Sequence, residues 1–184
     1  TPMSIMVGIG RGARAGILIK NAEAIEKAEK ITHIMADKTG TLTEGNPRVT
    51  ACIEASGWDK QKFLSMIASL EQNSEHPLAR AIVDFAKEQN AKIEYVADFQ
   101  SVTGRGIRGS IQGKTVIAGK QKFIEESSIS ISDELKKQAI YLQDQAQIVI
   151  WVAAEGKIAG IIGISDPIKK TTPDAIQALH GMGI

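Results

Sequence analysis

Residues 37–43, which read Asp-Lys-Thr-Gly-Thr-Leu-Thr, form the clearest chemical pattern in the chain. The apolar segment 31–36 before them predicts a buried strand that ends at Asp37, where open α/β sheets bind ligands. A carboxylate at that place can attack phosphorus and form an acyl phosphate. Backbone N–H groups and the hydroxyls of Thr39 and Thr41 would then hold the phosphoryl oxygens. An Asp that only caps a turn is the alternative, and the length of the run disfavours it.

A second polar cluster precedes a predicted helix. Residues 74–79 read Ser-Glu-His-Pro-Leu-Ala. Pro77 restricts His76 to extended backbone and suits the first position of a helix. We therefore expect His76 at a helix N-terminus with its ring free to project. A surface histidine that happens to precede a helix is the alternative.

A third pattern is rich in glycine. Residues 104–109 fit Gly-x-Gly-x-x-Gly, which is a weak signal by itself. Predicted strands and a hairpin follow it instead of a helix, so a dinucleotide-binding turn is excluded by context. Gly104 and Gly106 would allow a ligand to approach the backbone closely, since glycine tolerates positive φ. A pair of turn glycines is the alternative.

Strands alternate with helices along the chain, which predicts an α/β fold with a central sheet. Residues 1–46 predict a Gly/Ala-rich helix, a strand over 17–20, a helix over 22–30 and the strand over 31–36. Residues 156–184 predict a strand over 157–165 and a helix over 173–180 with Thr172 as its N-cap.

The middle of the chain, residues 47–155, predicts a separate antiparallel α+β insertion. Its predicted helices cover 59–70, 77–89 and 133–145, and its predicted strands cover 48–55, 94–102, 107–111, 115–118 and 148–153. Gln112 and Gly113 are typical of a two-residue hairpin turn between two of these strands.

Composition excludes several classes of protein. Of 184 residues, 43% are hydrophobic and 23% charged, which is typical of a folded chain. Lys and Arg number 22 against 21 Asp and Glu, so the near-zero net charge gives no support for nucleic-acid binding. The single cysteine, Cys52, excludes an internal disulfide and a cysteine-pair metal site. His33 and His180 have no partners at metal-ligand spacing.

Residues 37–41 resemble the phosphorylation motif of the P-type ATPases, which are members of the haloacid-dehalogenase superfamily. Residues 74–78 resemble the Ser-Glu-His-Pro-Leu motif of the heavy-metal branch of that family. The resemblance covers essentially all 184 residues. It implies a membrane-proximal segment and the first part of a haloacid-dehalogenase-like phosphorylation domain over 1–46, an inserted α+β nucleotide-binding domain over 47–155, and a return into the truncated phosphorylation domain over 156–184. That insertion would be an antiparallel sheet flanked by helices.

The resemblance also implies roles for the residues that match the motifs. The catalytic residues would be Asp37, Lys38, Thr39 and Thr41, with Asp37 phosphorylated and Mg²⁺ held by Asp37 and the Thr39 carbonyl. ATP would be bound by Glu71, His76, Gly104, Gly106 and Gly119, with His76 orienting the adenine and Glu71 contacting its amino group.

The chain departs from the family pattern at one binding position. The family usually has Gly-Asn where this chain has Gly119 followed by Lys120. Lys120 would either meet a phosphate as a point charge or leave nucleotide contact there weaker. Residues 166–169, Asp-Pro-Ile-Lys, resemble the segment where the chain re-enters the phosphorylation domain. An Asp-Pro turn after a strand is the alternative.

The sequence of residues 1–20 is similar to the corresponding segment of copper- and silver-exporting bacterial pumps. The resemblance therefore implies a catalytic fragment that uses ATP and Mg²⁺ to drive export of Cu⁺ or Ag⁺, with the transported metal not bound by the fragment. Its partners would be the rest of the phosphorylation domain, the actuator domain and the transmembrane domain. The fragment, soluble by itself, would belong to a cytoplasmic loop of a bacterial inner-membrane protein.

Two other functions stay open at this point. Related phosphatases carry a second Asp two positions after the nucleophile, where this chain has Thr39, which cannot act as a carboxylate base. That disfavours a free-standing phosphatase and suits a persistent phosphoenzyme. The sequence ends before the family's Thr-Gly-Asp and Gly-Asp-Gly-x-Asn-Asp segments, and the second of these supplies a Mg²⁺ ligand. A nucleotide-binding module without turnover of its own is therefore the alternative.

Overall fold

The computed structural model describes residues 3–184. They divide into a smaller unit, which runs up to Leu42 and includes Ile168–Ile184, and a larger unit, Thr43–Pro167. In chain order the elements are α1 (Met3–Arg14), α2 (Ala22–Ala28), β1 (Arg48–Glu54), α3 (Lys60–Glu71), α4 (Pro77–Glu88), β2 (Val96–Val102), β3 (Gly106–Ile111), β4 (Lys114–Gly119), α5 (Gln121–Glu126), α6 (Asp133–Asp144), β5 (Ile148–Ala154), β6 (Lys157–Ser165) and α7 (Thr172–Gly181).

The larger unit is built on one antiparallel sheet. Its strand order is β1-β6-β5-β4-β3-β2. Two tight hairpins set much of this order, because Gln112-Gly113 joins β3 to β4 and Glu155-Gly156 joins β5 to β6, all with positive φ. Two consecutive positive φ values are what a two-residue hairpin turn requires. The predicted turn at Gln112 and Gly113 is confirmed.

Helices cover both faces of this sheet. Successive strand residues point to opposite faces, and β5 shows this directly: Trp151 and Ala153 pack in one hydrophobic cluster, whereas Val152 and Ala154 pack in another. The first cluster includes residues of α5 and α6, and the second includes residues of α3 and α4. The predicted antiparallel sheet flanked by helices is confirmed.

The larger unit extends beyond the predicted insertion. β6 pairs with both β1 and β5, so residues 157–165 belong to the same sheet as the middle of the chain. The predicted boundary after residue 155 separates this strand from its partners. The structural unit instead ends at Pro167, because the two ladders of β6 cannot be divided from the sheet. The short helix α5 was not predicted, since six residues are too few to show a periodic apolar pattern.

The smaller unit contains α1, α2, α7 and the loop after Asp37. The two strands predicted over 17–20 and 31–36 are wrong, because within residues 3–184 neither segment pairs with another strand. An extended segment becomes a strand only when a neighbour takes up its N–H and C=O groups. All of residues 31–36 are solvent-exposed. α7 begins at Thr172 with Thr171 at the N-cap, so Thr172 is not the cap that the sequence predicts.

Candidate functional site

A cavity of about 690 Å³ opens in the larger unit. Its lining includes all five residues predicted to bind nucleotide, which are Glu71, His76, Gly104, Gly106 and Gly119. They come from the end of α3, the start of α4, the β2–β3 turn and the ends of β3 and β4. The volume lies in the range of small-molecule sites, roughly 300–1,000 Å³. Folding thus brings together residues that span nearly fifty positions of sequence.

His76 caps helix α4. Its backbone is extended, with φ −66° and ψ 138°, as the following proline requires. Pro77 has no N–H, and the next amide, Leu78 N–H, donates to His76 Nδ1 at 3.2 Å. The backbone N–H of His76 itself donates to Ser74 Oγ at 3.2 Å. With Nδ1 engaged as an acceptor, Nε2 is the ring nitrogen left for a ligand in the cavity.

Glu71 closes helix α3 and is a buried carboxyl group on the cavity wall. The residue is only 6% exposed. Burial raises the pKa of Glu71 to about 7, and hydrogen bonding to Ser74 opposes part of that rise. A carboxyl group with this pKa is partly protonated at neutral pH. It can therefore both accept and donate hydrogen bonds to a ligand.

The structure explains why glycine occupies these positions of the cavity wall. Gly106 and Gly119 face each other across the β3–β4 pair. A Cβ on Gly106 would overlap the carbonyl oxygen of Ala118 and lie 2.8 Å from Gly119 Cα. Gly104 has φ +72° and space around it, so it is a turn glycine. The absence of side chains also leaves bare backbone facing the cavity at all three positions.

An apolar wall completes the cavity. Phe99 of β2 and Ile150 of β5 are among its lining residues. Sequence motifs did not identify these residues, because only the folded sheet brings them beside Glu71 and His76. A cavity with an apolar wall and a few convergent polar groups is typical of a site for a small organic ligand.

The predicted phosphorylation loop lies in the smaller unit. Asp37 is exposed at its start. Thr39 (φ −75°, ψ 123°) and Gly40 (φ 76°, ψ −15°) have the angles of the central residues of a type II turn. This turn requires positive φ at its third position, which explains the glycine. The turn leaves the Asp37 carboxylate, the Thr39 carbonyl and the Thr41 hydroxyl on one short, tightly folded segment.

The segment 169–172 supports this loop. Lys169 Nζ donates to the Gly40 carbonyl oxygen at 2.8 Å, and Lys169 N–H donates to the Leu42 carbonyl oxygen at 3.0 Å. The Thr172 hydroxyl donates to the same Leu42 oxygen at 2.7 Å. Sequence reasoning missed the contact between Lys169 and Gly40, since 129 positions separate them. The nearest signal was the Asp-Pro-Ile-Lys segment that contains Lys169.

Asp166 ties together the two segments that lead into and out of the larger unit. Its carboxylate accepts hydrogen bonds from the Thr43 hydroxyl, Gly45 N–H and Asn46 N–H. Glu44 N–H donates to the Pro167 carbonyl oxygen at 2.8 Å beside them. Asp166 is not part of the cavity lining. These contacts give Asp166 a structural role.

The donors predicted for Mg²⁺ fit that ion in kind. A carboxylate from Asp37 and a carbonyl from Thr39 are both oxygen ligands, which Mg²⁺ prefers. Within residues 3–184 no group of three or more His, Cys, Asp or Glu side chains is placed to hold a metal ion. Two such donors would fill only part of the octahedral shell that Mg²⁺ requires. No helix in the same residues combines the length and apolarity needed to cross a membrane.

The fold and the loop define the class of protein, and comparison with known families agrees. Residues 31–184 match the model described as haloacid dehalogenase-like hydrolase. The chain belongs to the haloacid dehalogenase-like hydrolase family. The match begins at the segment that leads into Asp37 and includes both motifs on which the resemblance was based.

Comparison with individual relatives points to one group of proteins within this family. Over all 184 residues the chain is 46% identical to a silver exporting P-type ATPase of Salmonella typhimurium and 41% identical to a copper-exporting P-type ATPase of Legionella pneumophila. It spans only 22% and 25% of their lengths. The crystal structure of a zinc-transporting PIB-type ATPase in the E2.Pi state matches 97% of the chain, with a TM-score of 0.79 and 32% identity, over 29% of that protein. The predicted resemblance to heavy-metal P-type ATPases is confirmed.

Proposed function

We propose that this chain is the ATP-binding catalytic fragment of a heavy-metal P-type ATPase that exports Cu⁺ or Ag⁺ through an aspartyl phosphate. The observation that carries the proposal is the cavity in which Glu71, His76, Gly104, Gly106 and Gly119 meet. The relatives named as silver-exporting and copper-exporting ATPases support Ag⁺ or Cu⁺ as the transported ion. The solved zinc transporter has the same fold, so the fold by itself does not select the metal.

The adenine of ATP is assigned to the part of the cavity bounded by Glu71 and His76. The adenine amino group donates to a carboxyl oxygen of Glu71, and Nε2 of His76 is available to the base because Leu78 N–H occupies Nδ1. Phe99 and Ile150 supply apolar surface for the ring. The backbone at Gly104, Gly106 and Gly119 allows the rest of the nucleotide to approach closely.

The phosphoryl transfer is assigned to the loop that follows Asp37. A carboxylate oxygen of Asp37 forms a bond to the γ-phosphorus of ATP, the bond from that phosphorus to the β–γ bridging oxygen breaks, and ADP leaves. The Thr39 and Thr41 hydroxyls and the loop N–H groups hold the phosphoryl oxygens, and Lys38 belongs to the same motif. Mg²⁺, with Asp37 and the Thr39 carbonyl among its ligands, would neutralise phosphate charge.

In this proposal the two structural units have distinct roles. The unit Thr43–Pro167 is the nucleotide-binding domain, and the smaller unit belongs to the phosphorylation domain. The rest of the phosphorylation domain, an actuator domain and a transmembrane domain are the partners. The fragment belongs to a cytoplasmic loop of the complete pump and does not bind the transported ion.

Asp37→Asn in the complete pump tests the proposed chemistry. Labelled phosphate from γ-labelled ATP and Mg²⁺ should no longer form an acyl phosphate, because the amide is a poor nucleophile. Asp174→Asn is the matched control, since Asp174 is an exposed carboxylate of the same unit outside the loop. Acyl phosphate that survives in the Asp37→Asn pump would refute the assignment. Phosphate released from ATP by the isolated chain, and lost with Asp37→Asn, would distinguish turnover from nucleotide binding alone.

A further inference from the structure

An arginine and a lysine side chain line the cavity, Arg105 and Lys120. Arg105 is already paired, because its guanidinium lies 2.8 Å from the Glu126 carboxylate. Lys120 is exposed, and across residues 3–184 its ammonium group has neither a hydrogen bond nor an ion pair. It is thus the lining cation whose charge no neighbour in the described chain neutralises.

The backbone holds Lys120 firmly in this position. Its N–H donates to the Arg105 carbonyl oxygen at 2.9 Å, and its own carbonyl oxygen accepts from Phe123 N–H at 3.0 Å. The preceding residue, Gly119, is paired with Gly106 in the sheet. The Cα atom is therefore fixed at the cavity wall while the flexible side chain stays in solvent. A lysine side chain on this fixed backbone position can reach a charged ligand without any rearrangement of the fold.

Both acidic and basic side chains line the cavity. Glu71 and Glu75 line it near His76, and carboxylates repel phosphate groups. A ligand with an aromatic base and a phosphate chain would therefore place the base near these carboxyl groups and the phosphates elsewhere. Lys120 comes from a different element, directly after β4, whose last residue Gly119 pairs with Gly106.

We propose that the ammonium group of Lys120 binds the phosphate chain of the nucleotide, so that Lys120 makes the site prefer ATP to adenosine. This inference rests on the proposed function, because it places a second part of ATP in the same cavity. It assigns a role to the one position where the sequence departs from the expected Gly-Asn pair. Lys120 adds affinity through charge and makes no contact with the base.

The expected effect is modest, because the contact is exposed to solvent. An ammonium–phosphate contact at a surface, screened by water and salt, is worth about three- to fivefold in affinity. Raising the ionic strength from about 0.05 M to about 0.5 M should reduce that difference, since salt screens the attraction between solvent-exposed charges.

The test is isothermal titration of the whole 184-residue chain with ATP and, separately, with adenosine, both without Mg²⁺. The variants are Lys120→Gln, Lys120→Arg and Lys122→Gln. Lys122 is the matched control, because it is an exposed lysine two residues away that does not line the cavity. Lys120→Gln should weaken ATP binding three- to fivefold and leave adenosine binding unchanged. Lys120→Arg should keep most of the affinity, and Lys122→Gln should change neither ligand.

Four results would overturn the inference. Equal losses of ATP affinity in Lys120→Gln and Lys122→Gln would show a general charge effect. Equal losses for ATP and adenosine would show that Lys120 supports the cavity and does not bind phosphate. No loss in Lys120→Gln, with normal binding of both ligands to the unaltered chain, would overturn this inference alone. An unaltered chain that binds neither ligand would overturn the proposed nucleotide site together with it.

Discussion

Glu71→Gln should stabilise the larger unit, and only above acidic pH. The Glu71 carboxyl is buried, and its pKa rises from 4.5 to about 7 in the folded chain. Below about pH 4.5 the group is protonated in both the folded and the unfolded chain and adds no pH dependence. Between about pH 4.5 and 7 it ionises only on unfolding, so the free energy of unfolding falls as the pH rises.

The size of this effect follows from the two pKa values. A tenfold change in proton affinity corresponds to about 1.4 kcal/mol, so the rise from 4.5 to about 7 costs the folded chain about 3 kcal/mol above pH 7. Glutamine has nearly the same shape and no charge. The Glu71→Gln chain should therefore match the unaltered chain near pH 4.5 and exceed it by about 2–3 kcal/mol at pH 8.

Urea unfolding followed by tryptophan fluorescence measures this difference. Both tryptophans, Trp58 and Trp151, lie in the unit Thr43–Pro167, so the signal reports on that unit. Glu75→Gln is the control, because Glu75 is an exposed carboxylate four residues away. It should change stability by less than about 0.5 kcal/mol at either pH. A Glu71→Gln difference that is the same at pH 4.5 and pH 8, or that is destabilising at pH 8, would refute the reasoning.

Four further substitutions test the contacts around the site. Gly106→Ala should lower the free energy of unfolding in urea by at least about 3 kcal/mol, because the new Cβ would overlap backbone atoms. Gly104→Ala should lower it by about 1 kcal/mol, because only the positive φ is unfavourable there. Equal losses for the two variants would contradict this reasoning. Asp166→Ala should cost about 2–3 kcal/mol, since Thr43 and two backbone amides lose their acceptor, and a change below about 0.5 kcal/mol would contradict it. His76→Gln should weaken the binding of ATP and of adenosine to the same extent, while the amide spectrum of the chain stays native. Unchanged affinities for both ligands would show that His76 only caps its helix.

Local signals in the sequence were enough for most helices of the larger unit. Asp59 before α3 is a typical N-cap residue, and Pro77 is typical of the first position of a helix. Asp59 and His76 each cap the following helix through a side-chain hydrogen bond. The hairpin at Gln112-Gly113 follows from turn chemistry in the same way. These features depend on residues a few positions apart, so a sequence shows them directly.

Features that depend on distant partners were not predictable in the same way. The apolar run at 31–36 has the composition of a strand but pairs with none in residues 3–184. The place of β6 between β1 and β5 depends on contacts across more than a hundred positions. The same holds for the residues that line the cavity. Sequence motifs identify Glu71 and His76, whereas Phe99 and Ile150 become part of the lining only when the sheet folds.

Titration of the isotopically labelled chain with ATP tests the central claim most directly. The amide signals of Glu71, His76, Gly104, Gly106 and Gly119 should shift together and saturate at one dissociation constant, because all five line the same cavity. Amides near Asp37 should stay unchanged if the larger unit binds nucleotide by itself. The absence of any response around His76 at saturating ATP would contradict the assignment of this cavity to ATP.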